Sequence, residues 1–263
     1  MTRELPEKQF TGKFTLQLPG KEYMAVKFTK ANLLFPIMKP DYQPHGALFY
    51  QSLRVKLQHP YPQTLRFTLD GTRPNLQSAT YTGPILITEN KTLKVLSIDG
   101  ERSSELLQVD FQAATLLSAI PVENPTPGLQ FAWYTGRWEN MPDFSALTPL
   151  KTGTVENFNF TMIEQEDYFG IVFHGYIRVP QDDVYTFSTA SDDGSFVIID
   201  GKSVVENDGV HGVVRKNGQI GLKAGLHRFE VQFFDNWYDH ALQVHISSST
   251  LSQQLIPSGM LFH

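Results

Sequence analysis

The sequence predicts an all-β protein made of two antiparallel β-sandwich modules in tandem, a small one followed by a larger one. Three observations predict this. Apolar and polar residues alternate with a period of two. Phe169, Ile171 and Phe173 alternate with Val172, His174 and Tyr176; Phe229, Val231 and Phe233 with Arg228, Glu230 and Gln232; Leu242, Val244 and Ile246 with Gln243, His245 and Ser247. Such alternation suits antiparallel strands with one buried and one wet face. Asp-Gly or Asn-Gly pairs punctuate the chain at 70–71, 193–194, 200–201, 208–209 and 217–218. Dipeptides of this kind supply the positive φ of tight hairpins. No long helical stripe competes, and short strands with frequent turns lead to sandwiches or barrels.

Prolines set the module boundaries. Pro121, Pro125 and Pro127 fall within seven residues and resist both helix and sheet. A weaker break, with prolines at 36, 40 and 44, precedes Gly46. The expected organisation is a β-rich lead-in at 1–43, a small sandwich at 44–120, a proline-rich linker at 121–127 and a larger sandwich at 128–263. The lead-in is too short to bury a core alone, so it pairs with the middle module or ends an upstream domain. The run 121–127 is expected to be exposed or loosely packed.

Composition narrows the function. The 263 residues are 41% hydrophobic, enough for two cores, and 19% charged, too few for a disordered polyelectrolyte. Lys and Arg number 22 against 27 Asp and Glu, a net charge of −5 that argues against a nucleic-acid partner, since phosphate binding needs a basic stripe. There is no cysteine, which removes thiol catalysis, thiolate zinc and disulfides. No apolar run has the length of a membrane helix, so membrane insertion is not expected. Met1 to Lys8 is polar and has no signal-peptide core.

Catalytic patterns are missing: there is no Gly-x-Ser-x-Gly elbow, no His-Glu-x-x-His, no phosphate loop and no dinucleotide fingerprint. Glu164, Glu166 and Asp167 form an acidic loop, whereas a glycosidase needs two carboxylates across a cleft. No catalytic residue is assigned.

In the middle module, Leu65-Arg66-Phe67-Thr68-Leu69-Asp70-Gly71-Thr72-Arg73-Pro74 continues to Tyr81-Thr82-Gly83-Pro84-Ile85 and to Thr92–Ile98. This resembles the carboxy-terminal immunoglobulin-like domain of chitobiases and β-hexosaminidases. Asp70 is read as a turn residue that bonds backbone amides, and the module as a spacer.

In the larger module three segments carry a second resemblance. The first is Gly128-Leu129-Gln130-Phe131-Ala132-Trp133-Tyr134. The second is Phe173–Pro180, Val184–Ser191 and Asp192-Asp193-Gly194-Ser195, running on to Asp200-Gly201-Lys202 and Asn207-Asp208-Gly209. The third is Leu226–Phe234 followed by Asp235-Asn236-Trp237. Together they resemble the protective-antigen domain of flocculins and bacterial glycosidases.

That resemblance implies a metal site. In adhesin members, two adjacent aspartates joined by a cis peptide hold calcium, and here the pair is Asp192-Asp193. A second loop supplies an asparagine side chain and backbone carbonyls; Asn236 is the matching position, with Asp235 as the alternative after a one-residue slip. Calcium takes 6–8 oxygen ligands in loose geometry, so carboxylates and an amide carbonyl suit it. Trp237 and Tyr238 follow in the same loop, and aromatic faces stack on the apolar patches of sugars. Equally, Trp237 could close the end of the core. The short loop Asp235–His240 and the missing cysteines depart from the adhesin pattern and leave the sugar undefined. His174, His211, His240 and His245 lack metal-ligand spacing and are read as surface residues.

The expectation is a non-catalytic accessory region of an exported glycoside hydrolase, β-hexosaminidase-like, with its catalytic domain upstream. Its larger module binds a glycan or polysaccharide with calcium, outside the cell, in the periplasm or at the cell surface. Two other readings stand beside it: purely structural spacer modules, and a surface adhesion module for protein or glycan.

Overall fold

A computed structural model describes residues 36–165 and 167–263, and the lead-in up to residue 35 lies outside them. Residues 37–263 form one compact unit containing both sandwiches. The small sandwich has strands β1 (Asp41–Gln43), β2 (Leu48–Phe49), β3 (Leu53–Gln58), β4 (Thr64–Thr68), β5 (Ala79–Thr80), β6 (Ile85–Ile87), β7 (Lys91–Asp99), β8 (Arg102–Ser103) and β9 (Leu107–Ala113). One sheet runs β1-β3-β6 and the other β2-β9-β7-β4-β5, with β8 added to β7. Val55, Leu93, Val95 and Phe111 are buried between them. The last residues of the expected lead-in therefore serve as an edge strand of this module. At the turn after β4, Asp70 Oδ1 accepts the Thr72 amide at 3.0 Å and the Thr72 hydroxyl at 2.6 Å, as its position in the sequence implied.

The larger sandwich contains β10 (Leu129–Thr135), β11 (Lys151–Val155), β12 (Phe169–Val179), β13 (Asp183–Asp192), β14 (Ser195–Ile199), β15 (Lys202–Asn207), β16 (Val214–Leu222), β17 (Gly225–Asp235), β18 (Ala241–Ser247), β19 (Gln254–Leu255) and β20 (Leu261–Phe262). One sheet has the order β11-β10-β12-β17-β14-β15, with β20 on β12; the other is β16-β13-β18-β19. β12 and β17 pair antiparallel over eleven residues, from Phe169↔Asp235 to Val179↔Gly225. The alternating residues Phe169, Ile171, Phe173, Phe229, Val231 and Phe233 meet Tyr185, Phe187, Val244 and Ile246 of the other sheet in one core. The outer face is less wet than simple alternation suggests: Val172 is buried there with Ala132, Tyr134 and Phe144.

Two of the glycines read as turn residues lack the expected positive φ, and of the two only Gly194 lies in a turn. Gly71, Gly201 and Gly209 have positive φ, but Gly194 and Gly218 do not. Gly218 lies within β16, where a Cβ would strike the Val204 carbonyl, and Gly194 lies where a Cβ would strike the Phe234 ring. Both are kept small by close approach rather than by backbone conformation.

The chain between the modules is hydrogen-bonded, not free. The Leu117 amide donates to the Gly221 carbonyl and the Lys223 amide to the Leu117 carbonyl, both at 2.9 Å, and Ile120 pairs with Leu226. Within the proline-rich run, Thr126 exchanges two backbone bonds with His263, while Glu123 and Asn124 are exposed. One side chain also bridges the modules. Gln219 on β16 uses Oε1 to accept the amides of Ala47 at 2.9 Å and Leu48 at 3.0 Å. A side chain at Gly46, whose φ is +113°, would collide with this glutamine.

Replacing Gln219 by Ala leaves two amides of the small module without their acceptor, at a cost of about 1–2 kcal/mol. Hydrogen exchange should show faster exchange at Ala47 and Leu48 with the core of the larger sandwich unchanged. Equal protection in both proteins would show that the glutamine is not the clamp.

Candidate functional site

Three loops meet at one end of the larger sandwich: the β13–β14 turn, the segment between β15 and β16, and the segment between β17 and β18. The first is built by its flanking serines. Ser191 and Ser195 are fully buried, and their hydroxyls lie 2.7 Å apart across the mouth of the turn. Asn207, also fully buried, donates to Ser191 Oγ and to the Val214 carbonyl, both at 3.0 Å, which attaches the second loop to the first. Asp208 extends the brace by accepting the Met141 amide at 2.6 Å.

Asp193 ties all three together. It is 2% exposed, its Oδ1 accepts the His211 amide and its Oδ2 accepts the Asn236 amide, each at 2.8 Å. The Asp192–Asp193 peptide is cis, as the resemblance implied. The Phe234 amide donates to the Gly194 carbonyl at 3.0 Å, so the turn lies against the end of β17.

These loops enclose an open depression of about 460 Å³ lined by Asp192, Asp193, His211, Asn236, Trp237 and Tyr238, among others. Asp192 is partly exposed at its wall. Burial first, then the Asp193 charge, raises its pKa, and His211 opposes the shift. Asn236 Oδ1 is buried with no hydrogen-bond partner. Trp237 is 49% and Tyr238 78% exposed, so the tryptophan sits at the rim and does not close the core. Among the described residues no three Asp, Glu, His or Cys side chains converge as a ligand set. A cation here would therefore rest on Asp192, Asp193, Asn236 Oδ1 and backbone carbonyls. The orphaned Asn236 oxygen beside two carboxylates is an all-oxygen donor set, the kind that calcium takes.

Asp235 stands apart. It is fully buried below the depression and does not line it. Neither carboxylate oxygen makes a hydrogen bond of normal geometry. Burial, followed by the charges of Asp193 and Asp167, pushes its pKa up to about 7, and the Tyr168 amide only partly opposes this.

Of the histidines read as surface residues, His211 is only partly exposed, while His240 is exposed but packed on the core's edge. His211 lines the depression with its Nε2 buried and unpartnered, and the His240 ring packs edge-on against Phe160 and Phe169. Sequence reasoning missed Asn207 as the brace and missed His227. The latter is fully buried, with Nδ1 at 2.7 Å from Asp200 Oδ2 and Nε2 at 2.8 Å from the Lys223 carbonyl. Its position, alternating in phase with Phe229 and Val231, was the available signal. In the acidic loop Glu164 pairs with Lys151 at 2.8 Å, while Glu166 is outside the described residues.

Fold and loops together define tandem β-sandwich modules of the accessory type. Residues 126–256 match the PA14 domain, and residues 44–108 match the chitobiase/beta-hexosaminidase C-terminal domain; the two sandwiches are these two domains. A beta-hexosaminidase of Porphyromonas gingivalis is 27% identical over 176 residues, 63% of this chain, and the chain spans 22% of that enzyme's length. A PA14 sugar-binding domain from an RTX adhesin is 15% identical and covers 52% of this chain and 99% of its own, with a TM-score of 0.46. The epithelial adhesin 6 A domain of Candida glabrata, solved with Galb1-3GlcNAc, is 17% identical and covers 54% and 88%, with a TM-score of 0.41.

The buried Asp235 makes stability depend on pH. Its folded-state pKa of about 7 exceeds the ordinary 3.8, so folding favours the protonated form. The resulting stabilisation is complete below about pH 4 and is lost as pH rises through about 7, up to about 4 kcal/mol in all. Melting in chelator should show this decline, and Asp235→Asn should flatten it. Identical pH slopes in the two proteins would refute the assignment.

Proposed function

We propose that the PA14 module binds glycan at the three-loop depression with the help of calcium, and that the described region is a non-catalytic accessory part of an exported glycoside hydrolase. The observation that carries this is convergence: Asp192, Asp193, Asn236, Trp237 and Tyr238, forty-odd positions apart in sequence, line one depression. Asp192, Asp193 and the Asn236 oxygen would hold the ion. When bound, calcium supplies a partly hydrated cation whose open positions neighbouring sugar hydroxyls can fill. Trp237 and Tyr238 give the sugar's apolar face a surface to lie on. Asp193 keeps the three loops in place whether or not a sugar is present.

The accessory reading is supported by the pairing of these two domain types and by the hexosaminidase relative. It places the chain outside the cytoplasm, at the cell surface or in the periplasm. Asp192 and Asp193, the carboxylates that would hold the ion, sit in adjacent positions, not across a cleft as glycoside hydrolysis needs. The glutamine clamp at the module junction favours a second, compatible role as a stiff spacer.

Calcium at a hundredfold excess over its dissociation constant should add about 2.7 kcal/mol of stability. Chelator should remove that gain, and Asp192→Ala should abolish the calcium response while the apo melting curve is retained. Calorimetry without calcium heat, together with melting indifferent to chelator, would leave the spacer role alone. A second expectation is that a panel of chromogenic glycosides shows no turnover by this region. Turnover lost on Asp192→Asn would overturn the accessory reading.

A further inference from the structure

Beside the depression, a chain of side chains leads away from Trp237. The Trp237 ring meets Tyr238 on one side at 5.1 Å between centroids and Tyr168 on the other at 6.4 Å, edge to face. The guanidinium of Arg137 lies over the Tyr168 ring, 5.2 Å from its centroid. Arg137 is exposed and makes no ion pair or hydrogen bond with any described residue. The Tyr168 ring therefore supports one face of an exposed guanidinium whose donors have no partner among the described residues.

The backbone indicates that this placement is built. Tyr168 and Tyr238 have φ of 61° and 70°. That region is a genuine outlier for bulky side chains, and such outliers concentrate at ligand sites. Both strained residues are the aromatic neighbours of Trp237. The Tyr168 carbonyl is fixed by the Gly136 amide at 2.9 Å and by Gln165 Nε2 at 3.0 Å, which locks the loop carrying Arg137 to the loop carrying its ring.

Charge sets what the guanidinium can receive. The depression itself offers acceptors: the carboxylates of Asp192 and Asp239 and the Asn236 oxygen. With the ion and its oxygen ligands engaged by the sugar seated in the depression, an anionic substituent on the next sugar is left to Arg137, whose planar fork matches a carboxylate or a sulfate. We propose that Arg137, held on Tyr168, forms a second subsite that recognises an acidic group on the sugar next to the one seated in the depression. The ligand is thus an acidic oligosaccharide, uronate-bearing or sulfated, lying from Tyr238 across Trp237 toward Arg137. This rests on the glycan-binding reading above.

The test is calorimetry in calcium buffer with three tetrasaccharides: chitotetraose as the neutral probe, a hyaluronan fragment for the carboxylate and a keratan sulfate fragment for the sulfate. One or both acidic probes should bind about tenfold more tightly than the neutral one, the size of a charge-assisted hydrogen-bond pair. Arg137→Gln should erase that preference without changing affinity for chitotetraose, and Arg137→Lys should restore part of it. Which acidic probe carries the preference identifies the substituent. Equal affinity for neutral and acidic probes, or a preference that survives in Arg137→Gln, overturns the subsite while the glycan site stands. Binding of none of the three, with Asp192→Ala indistinguishable from the parent protein, overturns both.

Discussion

The site depends on one carboxylate. Asp193 is nearly inaccessible to solvent, and each of its oxygens accepts an amide from a different loop. A buried charge left unpaired would be costly, and two amide donors compensate it. The same bonds hold His211 and Asn236 where they line the depression. Below them, the Ser191, Ser195 and Asn207 cluster closes the mouth of the turn and joins it to the loop after β15. The two aspartates thus divide the work: Asp193 organises the loops, and Asp192 faces the opening.

The sheets beneath explain how distant residues arrive together. Long pairing of β12 with β17 and of β13 with β16 and β18 fixes the strand ends to within a residue. A register slip would turn every side chain to the other face, so the apolar alternation that fills the core also aims the loops. Phe160, from the segment after β11, seats against Phe169, Phe233 and His240, which anchors the far end of the Asp235–His240 loop.

Much of this was legible in the sequence, and unevenly so. Strand alternation and turn pairs were enough for the two sandwiches, because period-two burial is a local signal. The Ser-Asp-Asp-Gly-Ser run and the Asp-Asn-Trp loop marked the depression through their resemblance to a known domain. The placements of Asp235, His211 and Arg137 were not legible. Whether a loop residue lies under, beside or above a site depends on three-dimensional packing that leaves no periodic trace. Gly194 and Gly218 show the same limit: a glycine next to Asp or Asn reads as a positive-φ residue, yet here the neighbouring Phe234 ring and Val204 carbonyl exclude a side chain. The junction was obscured for another reason. Beside the backbone bonds of Leu117 and Ile120, a glutamine side chain, Gln219, joins the modules from within a strand, where nothing in its local sequence distinguishes it.

The bonds made by Asp193 have an evolutionary consequence. An asparagine in its place would direct an amide group toward one of two backbone donors and lose a loop contact, with or without any ligand. Asp192 makes no comparable contact with the backbone. Where nothing holds the depression to binding a ligand, drift would therefore erase the first aspartate and spare the second. A relative carrying only the second Asp would retain the shape of the depression after its chemistry had gone.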